Sequence, residues 1–337
     1  MTFNHSYYLF RVLKTGLTAR KILNATKLTL SYRLFLAGFR CRWKLSPLFI
    51  SIEPTNVCNL HCPECPVGMR TEGIERENAD EEVILKLLDE LQSTLMHVIF
   101  YFQGEPLMNR NFTNLVRYAH SKNMLTSTST NAQLINSETA KKIVESGLDR
   151  LIISIDGATQ ETYEAYRVGG RLDKAIEAVE NLIKWKKVLK SPSPFIEIQF
   201  LVLKTNEHQM KEMKLLARKL KADKLTFKSA QLYDFENGNP FLPNNKRYSR
   251  YEQKPDGRYY IKNPLRNRCR RMWNGAVVTS RSDVLPCCFD KDSSQVFGNL
   301  KDKTFTECRN STRAEEFKDA IRKNRRQFEM CRNCTEK

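Results

Sequence analysis

Three cysteines lie close together in the segment 52–66, IEPTNVCNLHCPECP, with the spacing C-x3-C-x2-C. The apolar run at 48–52 predicts a buried strand, so Cys58, Cys62 and Cys65 lie on the loop at its C-terminal end. α/β folds place their reactive residues at that end of a strand. An iron–sulfur cluster normally takes four cysteines, so three thiolates leave one iron open. The segment therefore predicts a metal centre with one free coordination position.

A structural zinc site is the alternative for the same three cysteines. Zinc in a structural site usually takes four ligands. His61 lies between the first two cysteines and could serve as the fourth ligand. The spacing by itself leaves both interpretations open.

The composition of the 337-residue chain indicates a packed protein with metal sites. Its length allows a core domain and a smaller module, and 41% of its residues are apolar. Ten cysteines without a secretory signal favour a reducing, cytoplasmic compartment over a disulfide framework. No apolar run reaches the length of a membrane span. A net charge of +18 predicts an acidic partner, such as nucleic acid, anionic lipid or a phosphorylated substrate.

Strand and helix patterns alternate through the segment 46–230. Apolar runs predict six strands, at 48–52, 97–102, 124–130, 150–155, 195–203 and 224–229. Helical spacing predicts helices at 80–93, 111–122, 137–146, 171–188 and 206–220. This alternation predicts an α/β fold with parallel strands joined by right-handed crossovers. Six strand–helix units are too few for an eight-fold barrel, so the prediction is a partial (β/α)6 TIM-like barrel.

A basic leader, residues 1–45, precedes this core. It carries nine Lys or Arg residues and no Asp or Glu, and its apolar residues recur at roughly helical spacing. A basic amphipathic helix can lie on an anionic membrane surface. The alternative is a helix packed across the open side of the core, with its basic face in water. The predicted location is therefore the cytoplasm, either free or peripheral on the membrane.

Two further segments follow the core. Residues 231–268 are polar and aromatic and rich in turn signals, so they predict a linker or a loop over the active site. Residues 269–337 hold six cysteines, and apolar runs at 276–278 and 284–286 predict a hairpin that ends at Cys287. A predicted helix at 313–324 leads to Cys331 and Cys334. We therefore predict a small C-terminal cysteine-rich cluster domain at 269–337.

Motifs at three predicted strand ends complete the pattern. The second strand ends in Gln103-Gly104-Glu105-Pro106, where a small residue allows close backbone approach and a carboxylate can hold an ammonium group. The third strand ends in Thr128-Ser129-Thr130-Asn131-Ala132. The fourth ends in Ile153-Ser154-Ile155-Asp156-Gly157, and Arg167 follows. With the cysteine loop, these motifs resemble the radical S-adenosylmethionine (SAM) superfamily over roughly residues 48–337.

The resemblance implies a [4Fe–4S] cluster on Cys58, Cys62 and Cys65, with SAM at its open iron. In that family a Gly-Gly-Glu-Pro motif holds the amino group of SAM, and a Ser and an Arg contact its carboxylate. The Gly-Gly-Glu-Pro motif is matched here by Gln103, Gly104, Glu105 and Pro106. Ser154 and Arg167 match the Ser and the Arg, and Asn131 matches the Asn of the family's Thr-Asn-Gly segment near the cofactor. Arg167 suits its task, since a planar guanidinium binds a carboxylate through two donors.

Some positions keep a second interpretation or depart from the family pattern. Asn131 could instead cap the turn into the helix at 137–146. Asp156 could face the substrate or only cap the turn at Gly157. Gln103 replaces the first Gly of its motif. Glu64 stands where the family usually places an aromatic or apolar residue that packs on the adenine.

Four C-terminal cysteines supply enough thiolates for a fully ligated second [4Fe–4S] cluster: Cys269, Cys287, Cys331 and Cys334. Their pattern resembles the SPASM and twitch domains of 2-deoxy-scyllo-inosamine dehydrogenase-like and anaerobic sulfatase-maturase-like proteins. A full SPASM domain uses seven cysteines for two clusters. Only Cys288 and Cys308 remain in this segment beside the four ligands, so we expect one auxiliary cluster. A structural zinc is the alternative. Cys288 could exchange roles with Cys287, while Cys41 and Cys308 are expected to be ordinary buried thiols.

The resemblance implies a radical SAM enzyme. A one-electron reductant such as flavodoxin or ferredoxin drives cleavage of SAM to a 5′-deoxyadenosyl radical, which abstracts hydrogen from an unidentified small-molecule or peptide substrate. The auxiliary cluster then accepts an electron, which gives a net two-electron oxidation. No catalytic side chain outside the SAM pocket can be assigned from the sequence.

Two other functions stay open. One is a radical SAM maturase of a ribosomal peptide or protein, built from the same parts. The other is a non-catalytic metal-binding or nucleic-acid-binding protein, which the net charge suggests. The chain has no basic motif with interleaved aromatic residues, so nucleic acid is not the expected partner.

Overall fold

The computed structural model describes residues 3–16, 18–39, 41, 43, 45–69 and 75–335. The chain divides into two compact units. The triplet unit, which holds the cysteines of the loop 58–65, comprises Met1–Tyr8, Cys58–Glu75 and Thr128–Asn263. The four-cysteine unit, which holds the other predicted cluster ligands, comprises Leu9–Val57, Arg76–Ser127 and Pro264–Lys337. Arg40, Arg42 and Lys44 of the predicted leader lie outside the described residues.

Strands and helices alternate along most of the chain. The strands are β1 (Phe49–Ile52), β2 (His97–Ile99), β3 (Leu125–Thr130), β4 (Arg150–Ser154), β5 (Phe195–Val202), β6 (Lys224–Ser229), β7 (Tyr251–Gln253), β8 (Tyr259–Ile261), β9 (Gly275–Val278), β10 (Asp283–Leu285) and β11 (Gly298–Asn299). The α-helices are α1 (Phe3–Gly16), α2 (Ala19–Leu36), α3 (Pro66–Met69), α4 (Glu81–Leu91), α5 (Phe112–Ser121), α6 (Ser137–Glu145), α7 (Gln160–Glu164), α8 (Leu172–Val188), α9 (Met210–Lys219), α10 (Arg270–Asn274), α11 (Phe305–Arg309), α12 (Thr312–Asn324) and α13 (Glu329–Arg332).

The predicted core elements are confirmed, because β1 to β6 fall within the six apolar runs. Helices α4, α5, α6, α8 and α9 likewise match the predicted helices. Helix α4 shows the local cause: Asp80 accepts a hydrogen bond from Val83 N at its start. Its buried residues recur at helical spacing and are Ile84, Leu87, Leu88 and Leu91. Strand β2 ends at Ile99, earlier than predicted.

Each unit contains parallel strands. In the triplet unit, β4 pairs with β5 and β5 with β6, both in parallel. In the four-cysteine unit the strand order is β11-β10-β9-β1-β2-β3. There β9, β1, β2 and β3 are parallel, whereas β10 is antiparallel to both β9 and β11.

The predicted C-terminal hairpin is confirmed, whereas its pairing with β1 was not predicted. Strands β9 and β10 pair in antiparallel fashion, and Cys287 follows two residues after β10. Strand β9 also pairs in parallel with β1, with Phe49 opposite Gly275 and Ile52 opposite Val278. The strand that leads to the cysteine loop therefore has a neighbour from the C-terminal segment.

The leader forms two helices, α1 and α2, and its basic residues are not all in water. Arg11 and Lys21 are buried, whereas Lys14, Arg20, Lys27 and Arg33 are exposed. None of the described helices is long and apolar enough to cross a membrane.

Candidate functional site

The cysteine loop of the triplet unit is compact and partly open to solvent. Cys62 is buried, whereas Cys58 and Cys65 are half-buried. The backbone turns tightly at Cys65, whose N–H donates to Cys62 O at 3.1 Å. Helix α3 then lies so close to this turn that a Cβ on Gly68 would be 2.5 Å from Cys62 O. Only glycine fits there without a shift of the backbone.

Two N–H donors point at the sulfurs of this loop. Asn131 Nδ2 lies 3.8 Å from Cys58 Sγ and also donates to Asn59 Oδ1 at 2.9 Å. Arg167 Nη1 lies 3.8 Å from Cys62 Sγ. Asn131 therefore reaches the cysteine loop from the end of β3. Its Oδ1 also accepts from Gln133 N at 3.0 Å, so it caps the turn after β3 as well, while Asn136 caps helix α6 itself.

Asp156 forms a buried ion pair with Arg167. Its Oδ2 accepts from Arg167 Nε at 2.6 Å, and its Oδ1 accepts from Leu201 N at 2.6 Å. Burial favours a lower pKa for Arg167, but the adjacent Asp156 and Cys62 raise that pKa well above its usual value. Asp156 thus orients Arg167 toward Cys62, a role that neither sequence interpretation of this residue included.

Ser154 is the last residue of β4 and is buried in the triplet unit. Its Cα lies opposite Gln199 of β5. Ser154, Asn131 and Arg167 therefore belong to the same compact unit as the cysteine loop.

Residues 231–261 pack against the cysteine loop within the triplet unit. Their aromatic and aliphatic side chains join a cluster with Leu60 and Cys62, and strands β7 and β8 form a small antiparallel hairpin. Glu64 ties the two segments together, because its carboxylate accepts from Tyr233 N at 2.9 Å and from Asn239 Nδ2 at 2.8 Å. Its departure from the family pattern therefore has a structural role, and the segment is packed against the loop and not a free linker.

In the four-cysteine unit, the strand-end motif after β2 packs closely on the chain before Cys58. Gly104 has φ +68°, and a Cβ there would lie 2.3 Å from Thr55 O. Glu105 N donates to Val57 O at 2.7 Å. The buried Glu105 carboxylate accepts from Leu107 N at 3.3 Å, at the start of the 3-10 turn Pro106–Met108. This motif therefore fixes the backbone from which the cysteine loop departs.

Gln103 and Glu53, which follow strands β2 and β1, form hydrogen bonds to the C-terminal segment. Gln103 Nε2 donates to Lys291 O at 2.8 Å, while Lys291 Nζ donates to Phe102 O at 3.1 Å. Glu53 Oε2 accepts from both the backbone N and the hydroxyl of Ser280, at 3.0 and 3.1 Å. Burial raises the pKa of Glu53, and the Ser280 donors oppose that rise. Sequence reasoning missed Glu53, although a carboxylate directly after a buried strand was a usable signal.

The four predicted C-terminal ligands line one cavity in the four-cysteine unit. Cys269, Cys287, Cys331 and Cys334 are all buried. The other residues of the lining include apolar and aromatic side chains: Met272, Pro286, Phe289, Phe317, Ile321 and Met330. The sequence pattern thus selected residues that are far apart in the chain and adjacent in space.

This cavity disfavours free thiolates and suits a positively charged iron centre. Burial raises the pKa of Cys331 to about 11 and that of Cys287 well above its usual value. Metal ions displace the protons of such thiols and offset part of the thiolate charge, which lowers the cost of burying it. Arg325, itself buried, donates from Nη2 to Cys334 Sγ at 3.1 Å. Four thiols and a nearby cation therefore fit a fully ligated iron–sulfur cluster.

The remaining cysteines lie outside this cavity. Cys288 is half-buried and does not line the cavity, whereas Cys287 does, so Cys287 is the member of the pair that lies with Cys331 and Cys334. Cys308 is buried, as expected, while Cys41 is only half-buried. Within the described ranges, no three His, Cys, Asp or Glu side chains surround a common position for a single metal ion.

Two family models match this chain. Residues 52–192 match the Radical SAM superfamily, and residues 269–335 match SPASM, an iron-sulfur cluster-binding domain. A radical SAM domain implies a [4Fe–4S] cluster and SAM, and a SPASM domain implies auxiliary iron–sulfur binding. The resemblance inferred from the motifs is therefore confirmed, as are these cofactors.

Curated relatives match part of the chain. Fe-coproporphyrin III synthase of Methanosarcina barkeri is 37% identical over 128 residues, which are 38% of this chain and 32% of that protein. Mycofactocin maturase MftC of Mycobacterium ulcerans is 33% identical over 139 residues, 41% of this chain and 37% of that protein. The chain thus spans about a third of the length of these two relatives.

A solved structure supports the fold over most of the chain. Streptococcus suis SuiB bound to precursor peptide SuiA superposes with a TM-score of 0.62 at 18% identity, over 90% of this chain and 71% of that one. The predicted fold class, an α/β partial TIM-like barrel with a cysteine-rich C-terminal region, is confirmed.

Proposed function

We propose that this protein is an enzyme that oxidises its substrate by two electrons, because residues 52–192 match the radical SAM superfamily and residues 269–335 match the SPASM family. Cys58, Cys62 and Cys65 would hold the cluster that binds SAM. Cys269, Cys287, Cys331 and Cys334 would hold one auxiliary cluster. Both assignments rest on the thiolate sets described above.

When bound, the cluster on Cys58, Cys62 and Cys65 and its SAM would supply radical hydrogen abstraction, with a flavodoxin or ferredoxin as the electron donor, and the auxiliary cluster would supply the acceptor for the second electron. The protein's own task is to hold these groups and to exclude competing reactions.

The side chains around the cysteine loop fit that task. Asn131 and Arg167 donate toward Cys58 and Cys62, and such N–H···S contacts help to set the potential of a cluster. Asp156 holds the Arg167 guanidinium in one orientation. Arg167 and Ser154 would face the carboxylate of SAM, and Asn131 would lie near it. For Gln103, Gly104, Glu105 and Pro106, a role in holding the SAM amino group is proposed from the sequence resemblance.

The difference in ligand number between the two cysteine sets carries this proposal. Three cysteines leave one iron of a cluster open to bind SAM, whereas four cysteines complete a cluster that can only exchange electrons. The buried, largely apolar surroundings of the second set favour electron transfer over substrate binding.

Anaerobic reconstitution with iron and sulfide tests the proposal. We expect about eight irons per chain, as for two [4Fe–4S] clusters, and release of 5′-deoxyadenosine and methionine on reduction with SAM. A colourless protein that retains zinc and leaves SAM intact would contradict the proposal and favour the structural zinc alternative.

A ribosomal peptide or protein is the second candidate substrate beside a small molecule. The MftC relative is named as a maturase, and the SuiB structure contains a precursor peptide, while another relative is named as an Fe-coproporphyrin III synthase. Incubation of the reduced enzyme and SAM with peptides encoded beside its gene should give a mass loss of about two hydrogens if a peptide is oxidised. Comparison of metabolites between parent and deletion strains tests for a small molecule.

A further inference from the structure

Helix α2 packs on the four-cysteine unit by a face that includes polar residues. Its buried residues are Lys21, Asn24, Leu28, Ser31 and Phe35, a spacing that places them on one side of the helix. Lys21 Nζ donates to Asn123 O at 3.0 Å, and Asn24 Nδ2 donates to Ser46 O at 2.9 Å. Polar contacts therefore contribute to the attachment of this helix.

The C-terminal part of α1 is attached in the same way. Arg11 Nη2 lies 3.2 Å from His120 Nδ1 and donates to Met124 O at 3.4 Å. Thr15, also buried, donates its hydroxyl hydrogen to Arg11 O at 2.8 Å. Helices on protein surfaces usually bury an apolar stripe and expose the polar one. From Leu9 onward, α1 buries a polar pair and leaves apolar residues outside.

The outward side of both helices is strongly apolar. Phe10, Leu13 and Leu23 are 55%, 58% and 54% exposed. Within the described part of the chain, ten of the eighteen exposed large apolar side chains lie between residues 9 and 43. Such a concentration marks an interaction surface. We name it the leader face, with the members Leu9, Phe10, Val12, Leu13, Ile22, Leu23 and Leu30.

Cations border the leader face. Lys14, Arg20, Lys27 and Arg33 are exposed on the same two helices. The first 45 residues contain no Asp or Glu. Apolar side chains suit the acyl boundary of a membrane, and Lys and Arg suit its anionic headgroups. A protein partner with an apolar patch would not require this excess of cations.

We propose that the leader face docks on the surface of an anionic lipid bilayer, with α1 and α2 lying along that surface. Arg11, Lys21 and Asn24 are buried against the protein, and the apolar side of the two helices is exposed. Binding is therefore expected to need both the apolar residues and the exposed cations.

Vesicle flotation of the reconstituted full chain tests this proposal. The vesicles contain phosphatidylcholine alone or with about 30% phosphatidylglycerol, in about 50 or 500 mM KCl, because salt screens surface charge. The parent protein should float with the anionic vesicles at low salt, and at least about tenfold less with neutral vesicles or at high salt.

Matched variants distinguish binding through the leader face from nonspecific hydrophobic adsorption. Phe10→Ser/Leu13→Ser/Leu23→Ser should reduce flotation at least about tenfold, while the control Val188→Ser/Leu189→Ser/Leu215→Ser, also at exposed apolar positions, should float like the parent. The variant Lys14→Gln/Arg20→Gln/Lys27→Gln/Arg33→Gln should lose the salt-sensitive part of vesicle binding. Its control, Lys174→Gln/Lys184→Gln/Lys187→Gln/Lys211→Gln, removes the same charge from exposed positions elsewhere and should retain it.

Iron content and circular dichroism identify variants that fold like the parent. Three results would overturn the proposal: a parent that ignores anionic vesicles, a leader-face variant that binds them like the parent, or equal losses in the control variants. A parent that dimerises through the leader face and stays free of vesicles would likewise overturn it, in favour of a second copy as the partner.

Discussion

The two cysteine sites differ in exposure and in what surrounds their sulfurs. The loop of the triplet unit has three cysteines, two of them half-buried, with an amide and a guanidinium directed at the sulfurs. The cavity of the four-cysteine unit buries all four of its cysteines. A cluster with an open iron needs polar groups that hold the ligand on that iron. A fully ligated cluster mainly needs surroundings that exclude water. Ligand number and surroundings thus point to the same division of roles.

Loss of any cysteine in the triplet should have the largest effect. Cys58→Ala, Cys62→Ala and Cys65→Ala should each reduce 5′-deoxyadenosine formation to background, because the open iron is lost with its cluster. The auxiliary cluster should remain visible by absorbance and EPR. Cys41→Ala, outside both sites, is the control and should cleave SAM like the parent. SAM cleavage that survives in a triplet variant would break the distinction between the sites.

Loss of two cysteines from the cavity should affect product formation more than SAM cleavage. Cys331→Ala/Cys334→Ala should still form 5′-deoxyadenosine, with about four irons left per chain. Oxidised product should fall strongly, since the substrate radical has no acceptor for its electron. Product formation at the parent's rate would show that the second site is structural at most.

The buried ion pair beside the cysteine triplet should contribute more to the free energy of unfolding than an exposed Asp–Arg pair does. Asp156→Asn removes the partner of Arg167 and should cost about 3–5 kcal/mol of unfolding free energy, because the charge left behind is buried. The control Asp173→Asn breaks the exposed pair with Arg171 and should leave the unfolding free energy close to that of the parent, because water screens exposed charges. Thermal unfolding measures both effects. SAM affinity, measured by equilibrium binding, should fall only in Asp156→Asn.

The smallest predicted effect concerns the arginine at the closed site. Arg325→Gln removes a positive charge next to Cys334 and should lower the reduction potential of the auxiliary cluster by on the order of tens of millivolts. Arg326→Gln, at the exposed neighbouring residue, is the control. EPR-monitored redox titration distinguishes them. Equal potentials in the two variants would show that Arg325 does not tune the site.

Sequence patterns predicted the core elements because each depends on local periodicity. The six apolar runs contain β1 to β6, and helices such as α4 carry their own caps. The four cavity cysteines were predictable because their spacing matches a family pattern, although Cys269 and Cys334 are far apart in the chain.

Long-range pairings were not predictable from the sequence. Nothing local in 275–278 indicates that β9 pairs with β1, and nothing in Asp156 indicates that Arg167 is its partner. The substitutions Gln103 and Glu64 looked like weaknesses of the pattern. Each instead makes a hydrogen bond to a distant segment, which only the folded chain reveals.

The pairing of β9 with β1 has a consequence for synthesis of the protein. Strand β1 leaves the ribosome early, but its neighbour β9 follows more than two hundred residues later. At about 5–20 residues per second, one edge of β1 stays unpaired for on the order of ten seconds or longer. An unpaired strand edge can associate with other chains. A nascent chain that stalls before residue 278 should therefore be prone to aggregation and dependent on chaperones, even though its cysteine loop is already complete.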